Sequence, residues 1–102
     1  NNMRANVAEA DVVIANPTHF AIAIKYEKEL MQGPEVKAKG QDNLAQQIKA
    51  IARENNVPIV ENRPLARALY ADVQIGDIIP EKYYTALATI LGKVYSMKSK
   101  KK

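Results

Sequence analysis

Asn16 followed by Pro17 is the pair in this sequence whose side-chain and backbone chemistry are coupled. An Asn in a tight turn is ordinarily attacked at its side-chain carbonyl by the next backbone nitrogen, but Pro17 has no N–H and closes that route. The reverse attack stays open. The Asn16 amide nitrogen adds to Asn16's own backbone carbonyl, closes a succinimide ring and expels the Pro17 nitrogen, which cuts the chain. Such a step needs the side chain at attack distance and the peptide distorted or polarised, and a turn pinned between rigid strands can supply both. His19 is the single histidine; an imidazole changes charge near neutrality and could take the amide proton or protonate the departing nitrogen. Asn16-Pro17-Thr18-His19 also reads as a plain β-turn, because Pro presets φ and an Asn side chain bonds backbone groups two residues on. His19 is then a turn residue bonded to a nearby carbonyl. Residue types alone leave both readings open.

No other stretch offers covalent chemistry. There is no glycine-rich phosphate loop, nucleophile elbow or HExxH pair, and the serines, Ser96 and Ser99, lie at the C-terminal end. The chain has no Cys and one His, so neither a disulfide framework nor a protein-built transition-metal site is expected, and no cofactor is implied. Four of the 15 basic residues are Lys98, Lys100, Lys101 and Lys102; the remaining 11 balance 11 acidic ones. The body is neutral, and the lysine run carries no interleaved aromatics, so no nucleic-acid partner is expected. No segment approaches the roughly 18 apolar residues of a membrane span.

The turn is flanked by two dense apolar runs, Asp11–Ala15 and Phe20–Ile24, the second strand running on to Tyr26. They read as strands buried on both faces and, across so tight a link, as antiparallel neighbours, although a cut link could also join separated strands. Residues 1–10 read as the end of a connector helix with Met3, Val7 and Ala10 on one side, 11–97 as a single domain, and 98–102 as a basic tail. Residues 26–34 read as a polar loop closed by Gly33-Pro34. Glu35–Lys39 alternates at period two, an edge strand whose lysines 37 and 39 guard its outer face. From about Asp42 a helix carries Leu44, Ala45, Ile48, Ile51 and Ala52 as its apolar stripe, with Gln46, Lys49, Arg53 and Glu54 opposite. Val57–Glu61 is a short strand, and Asn62 or Arg63 caps a helix with Pro64 at its start. After a connector containing Gly76, Pro80 opens a last helix with two apolar stripes. Tyr83, Leu87, Ile90 and Val94 make one; Tyr84, Ala88, Leu91 and Tyr95 make the other, either further core or a surface for a partner. The fold class is α/β, a small mixed sheet of about four strands surrounded by about four helices.

Several ordered segments carry a resemblance. Val12–Ile24 around Asn16-Pro17-Thr18-His19, Pro34–Gly40, Val57–Val60, Pro64–Tyr70 and Ile75–Pro80 together resemble the FlhB/YscU family, the export-gate switch proteins of type III secretion systems. The wording of the later segments is closer to the flagellar branch than to the virulence-injectisome branch. The resemblance implies a C-terminal cytoplasmic domain, joined in the family to a transmembrane portion at the bacterial inner membrane. It implies autocleavage between Asn16 and Pro17, with Thr18 and His19 positioning groups and handling protons, after which the two pieces stay associated. It also implies a change of export substrates from rod and hook to filament proteins, and as partners the export substrates, a hook-length ruler and other gate components. Gly33, Pro34, Ala88 and Leu91 become candidates for a shallow apolar site that docks short export signals. The alternative is a protein-binding domain whose Asn-Pro turn stays intact.

Overall fold

The computed structural model describes residues 2–27 and 31–100, excepting the side chains of 95–100. Part of the expected loop over 26–34, the side chain of Tyr95, and Lys98, Ser96 and Ser99 as side chains therefore lie outside the described residues. Four strands form one mixed sheet: β1 (Val12–Asn16), β2 (Phe20–Lys25), β3 (Glu35–Gln41) and β4 (Ile59–Glu61), in the order β3-β2-β1-β4. β1 runs antiparallel to β2 and parallel to β4, and β2 runs antiparallel to β3. The helices are α1 (Met3–Ala8), α2 (Asn43–Glu54), α3 (Arg63–Asp72) and α4 (Tyr84–Lys100), the last entered through a 3-10 turn at Glu81–Tyr83. This is the expected α/β arrangement.

The strand sequences explain why the sheet is covered on both sides. Along β2, Ala21-Ile22-Ala23-Ile24 alternates small with large, and all four side chains are buried. Ile22 and Ile24 join Val12, Ile14 and Val36 under α3 and α4, where Leu65, Leu69, Leu87, Ile90 and Val94 meet them. Ala21, Ala23, Val13 and Ala38 face the other way, against Val7 of α1 and Ala45, Ile48 and Ala52 of α2. Small residues on that face let a helix approach closely, and branched ones on the other fill the wider gap. β1, bonded on both edges and buried on both faces, is the centre of the molecule.

Three expectations need correction. The stripe on α2 is shifted: Leu44 is 39% exposed, and Lys49, expected on the polar side, is 8% exposed. Burial alternates along β3 as expected, but its apolar residues do not share one face: a bulge opposite Ala23/Ile24 sends Val36 to the α4 side and Ala38 to the α2 side. The edge of β3 is not guarded by lysines alone. The connector after α3 covers it, with Gly76 N–H donating to Val36 O at 2.8 Å, Val36 N–H to Asp77 O at 3.1 Å, and Ile79 N–H to Pro34 O at 2.7 Å. Gly76 holds φ at +91°, which permits the turn into this ladder. Lys39 meanwhile reaches inward, donating to the Tyr70 carbonyl at 2.8 Å with its ammonium over the Tyr70 ring, and Lys37 lies 3.7 Å from Glu9 and from Glu35.

Asn62 caps α3 as expected: its side-chain oxygen accepts the Leu65 N–H at 3.1 Å, with Pro64 in the first turn. Arg67 faces solvent.

Candidate functional site

β1 ends at Asn16 and β2 begins at Phe20, which pair across the strands, so residues 17–19 must reverse the chain in one turn. The Asn16 carbonyl accepts the His19 N–H at 3.2 Å, closing the turn. The Asn16 side-chain oxygen accepts the Thr18 N–H at 3.4 Å, the Asx contact that the sequence leads one to expect. Both bonds bear on the cyclisation chemistry. The carbonyl oxygen that would become an oxyanion already holds a backbone donor, and the amide that would attack has its oxygen held, which restricts its rotation. Asn16 and Pro17 are half-buried, while Thr18 and His19 are exposed.

His19 is not bonded within its own turn through its ring. Nδ1 lies 3.5 Å from Asp42 Oδ1, with both side chains more than half exposed, and the ring packs at a tilt beside Phe20. The His19 carbonyl accepts the Asp42 N–H at 2.8 Å, continuing the ladder to the corner where β3 turns into α2. Asp42 occupies that corner at φ +53°, a conformation L residues rarely adopt.

Sequence reasoning missed the groups that hold the turn from α2. Lys49 donates to the Pro17 carbonyl at 2.8 Å, and Gln46, exposed at the helix surface, donates to the same oxygen at 3.3 Å. Among the described residues Lys49 is the single buried charged one. The signal was its position: Lys49 stands four residues after Ala45 and three before Ala52, both in the apolar stripe. Beside Asn16 a cleft of about 630 Å³ opens toward α3, lined by Arg63, Pro64, Arg67, Ala68 and Ala71.

The four residues expected to form a docking patch come together. Gly33, Pro34, Ala88 and Leu91 line one pocket of about 160 Å³ with Tyr26 and Tyr84 among its walls. A Cβ at Gly33 would run into the Tyr84 hydroxyl and meet the Ile78 side chain at 3.0 Å, so any other residue there needs Tyr84 to shift. Ala88 is exposed, but Leu91 is 6% exposed and belongs to the core under α4. Leu91 is therefore a core residue as well as a wall of the pocket, and a polar side chain there would disturb the packing. At the other end of this layer the Tyr83 hydroxyl donates to Asp72, and Lys82 lies 3.4 Å away from the same carboxylate. These bonds hold the Asp72 carboxyl below its ordinary range, and Asp72 in turn raises the Tyr83 phenol.

The chain is 54% identical over 99 residues to the flagellar biosynthetic protein FlhB of Borreliella burgdorferi, covering 97% of this chain and 27% of that protein. It is 53% identical over 98 residues to FlhB of Bacillus subtilis, with 96% of this chain and 27% of the relative covered. It thus spans about a quarter of the length of these curated relatives. The crystal structure of the cytoplasmic domain of FlhB from Shewanella putrefaciens superposes with a TM-score of 0.93 at 40% identity, covering 98% of this chain and 77% of that one. A mutated EscU C-terminal domain superposes at TM-score 0.88 and 30% identity, covering 90% and 92% of the two chains. The family model described as "FlhB HrpN YscU SpaS Family" matches residues 1–94, and the chain belongs to that family.

Proposed function

We propose that this chain is the cytoplasmic C-terminal domain of a flagellar type III export-gate component, and that it cuts itself once between Asn16 and Pro17 to change which proteins the gate exports. Asn16 loses a proton from its side-chain nitrogen, and that nitrogen bonds to the Asn16 backbone carbon, leaving negative charge on the carbonyl oxygen. The oxyanion collapses, the bond to the Pro17 nitrogen breaks, and that nitrogen takes up a proton as the new N-terminus. Asn16 ends as a C-terminal succinimide, which water opens. The His19 imidazole carries the proton between the two nitrogens. The observation that carries the reading is the pair of backbone donors on Asn16, His19 N–H on its carbonyl and Thr18 N–H on its amide oxygen.

Residues 1–10 connect to a membrane-embedded portion, 11–97 form the switching domain and 98–102 a basic tail. Export substrates, a hook-length ruler and other gate components are its partners, and the pocket at Gly33, Pro34, Ala88 and Leu91 docks short apolar export signals. The corresponding role in an injectisome is the second reading, favoured by the likeness to the EscU domain.

Intact-mass measurement tests the cut. Wild type resolves into residues 1–16 and 17–102 under denaturing conditions, and Asn16→Ala stays whole because no amide is left to attack. Wild type that remains one uncut chain after long incubation rejects the reading in favour of an intact protein-binding turn.

A further inference from the structure

Lys49 presents an unusual use of charge. The residue as a whole is 8% exposed, and its ammonium, partly withdrawn from water, donates to the neutral carbonyl of Pro17 at 2.8 Å; a charge taken from water is costly unless it is bonded. Its helical neighbours Ala45, Ile48 and Ala52 are apolar, and a methionine would fill the same volume without that cost. The ammonium is therefore explained by what it does to Pro17.

The C=O of Pro17 and the N–H of Thr18 belong to one planar trans peptide, so they point in opposite directions. Lys49, with Gln46 at 3.3 Å, holds the carbonyl toward α2. The Thr18 N–H is thereby turned to the far side, where it donates to Asn16 Oδ1 at 3.4 Å. Rotation of this one plane is what separates the two common β-turn types, and in the flipped plane the Thr18 donor points away from the Asn16 side chain.

We propose that Lys49, assisted by Gln46, is a positioning residue for self-cleavage: by locking the Pro17–Thr18 peptide plane from α2, it holds the Asn16 amide in its cyclising orientation. The inference rests on the self-cleavage reading above. It couples the cut to the fold, since the locking group arrives only when α2 has docked on the sheet. An unfolded chain then keeps its Asn16–Pro17 bond, and cleavage follows folding.

The test uses cell-free synthesis of the full chain, sampling intact mass over time beside thermal melts of each variant. Lys49→Met slows the appearance of the two pieces by roughly ten- to a hundredfold, and Lys49→Arg, which restores a charged donor, recovers much of the rate. A Lys49→Met chain that melts cooperatively yet cuts at the wild-type rate overturns the proposal, as does a Lys49→Arg chain no faster than Lys49→Met. If Lys49→Met does not fold, Gln46→Leu on the exposed helix surface decides: a cut slowed about threefold supports the proposal, and an unaltered one overturns it. Failure of wild type itself to cut would sink the self-cleavage reading instead, so the two failures are distinguishable.

Discussion

Thr18 donates its backbone N–H to the side-chain oxygen of Asn16, two residues earlier, at 3.4 Å. The Thr18 residue itself is exposed, and its contribution to the turn runs through this main-chain donor. Thr18→Ala keeps the donor and should cut within about threefold of wild type. Thr18→Pro removes it and should cut at least tenfold more slowly, by the same positional argument. Fragment accumulation by mass spectrometry compares the two; equal rates would show that the Asx contact is not used.

His19 contributes twice, through its N–H on the Asn16 carbonyl at 3.2 Å and through a ring near Asp42. His19→Ala deletes the ring and keeps the N–H, so the cut should slow, by roughly a hundredfold at most, without stopping. Intact-mass time courses of wild type and His19→Ala, run side by side, check this. An unaltered rate would leave His19 with its backbone role alone.

The sheet was legible in the sequence because β1 and β2 are short apolar runs on either side of an Asn-Pro turn, and their burial on both faces follows from Val12–Ala15 and Ala21–Ile24 lacking polar positions. The α3 cap at Asn62 is a local signal and was readable for the same reason. What escaped was non-local. Lys49 looks like a solvated lysine until β1 and β2 place Pro17 over α2, 32 residues away in sequence. The bulge in β3 is set by pairing with β2, and the cover on its edge comes from residues 76–79, beyond α3. Motif reading located Asn16 and Pro17, whereas the groups that orient them depend on tertiary contact.

The Tyr83–Asp72 bond ties the end of α3 to the entrance of α4. Because Asp72 is depressed in the fold, its contribution is present above the unfolded carboxyl value and is lost as pH falls through the lower folded one. Tyr83 is raised, so its contribution is present below the unfolded phenol value and is lost as pH climbs through the higher folded one. Asp72 is exposed and Tyr83 half-buried with its hydroxyl at the surface, and the effect is small. Asp72→Asn should lower the Tyr83 titration midpoint toward an ordinary phenol, read by ultraviolet absorbance, and weaken the acid dependence of the melting temperature.

Ala88 and Leu91 share a pocket but differ in burial, so polar substitutions separate docking from folding. Leu91→Asp places a carboxylate in the core under α4 and should cost about 2–5 kcal/mol, read by denaturant unfolding. Ala88→Asp should leave stability within about 0.5 kcal/mol and still reduce export of early substrates. Normal export with a folded Ala88→Asp chain would remove the pocket from the docking proposal.

Cutting between Asn16 and Pro17 would leave β1 in one piece and its neighbours β2 and β4 in the other. β1 is paired with β2 from Val12 to Asn16 and with β4 from Val13 to Ala15, and Val12, Val13 and Ile14 are fully buried. The small piece therefore cannot leave without opening the sheet at its centre, and the cut protein should elute as one particle. Its unfolding nevertheless becomes a dissociation, so its melting temperature should rise with protein concentration, whereas that of uncut Asn16→Ala should not. Calorimetry over a hundredfold range of concentration distinguishes them. A cut sample whose melting temperature ignores concentration, or in which 17–102 elutes alone and folded, would contradict a sheet held together through β1.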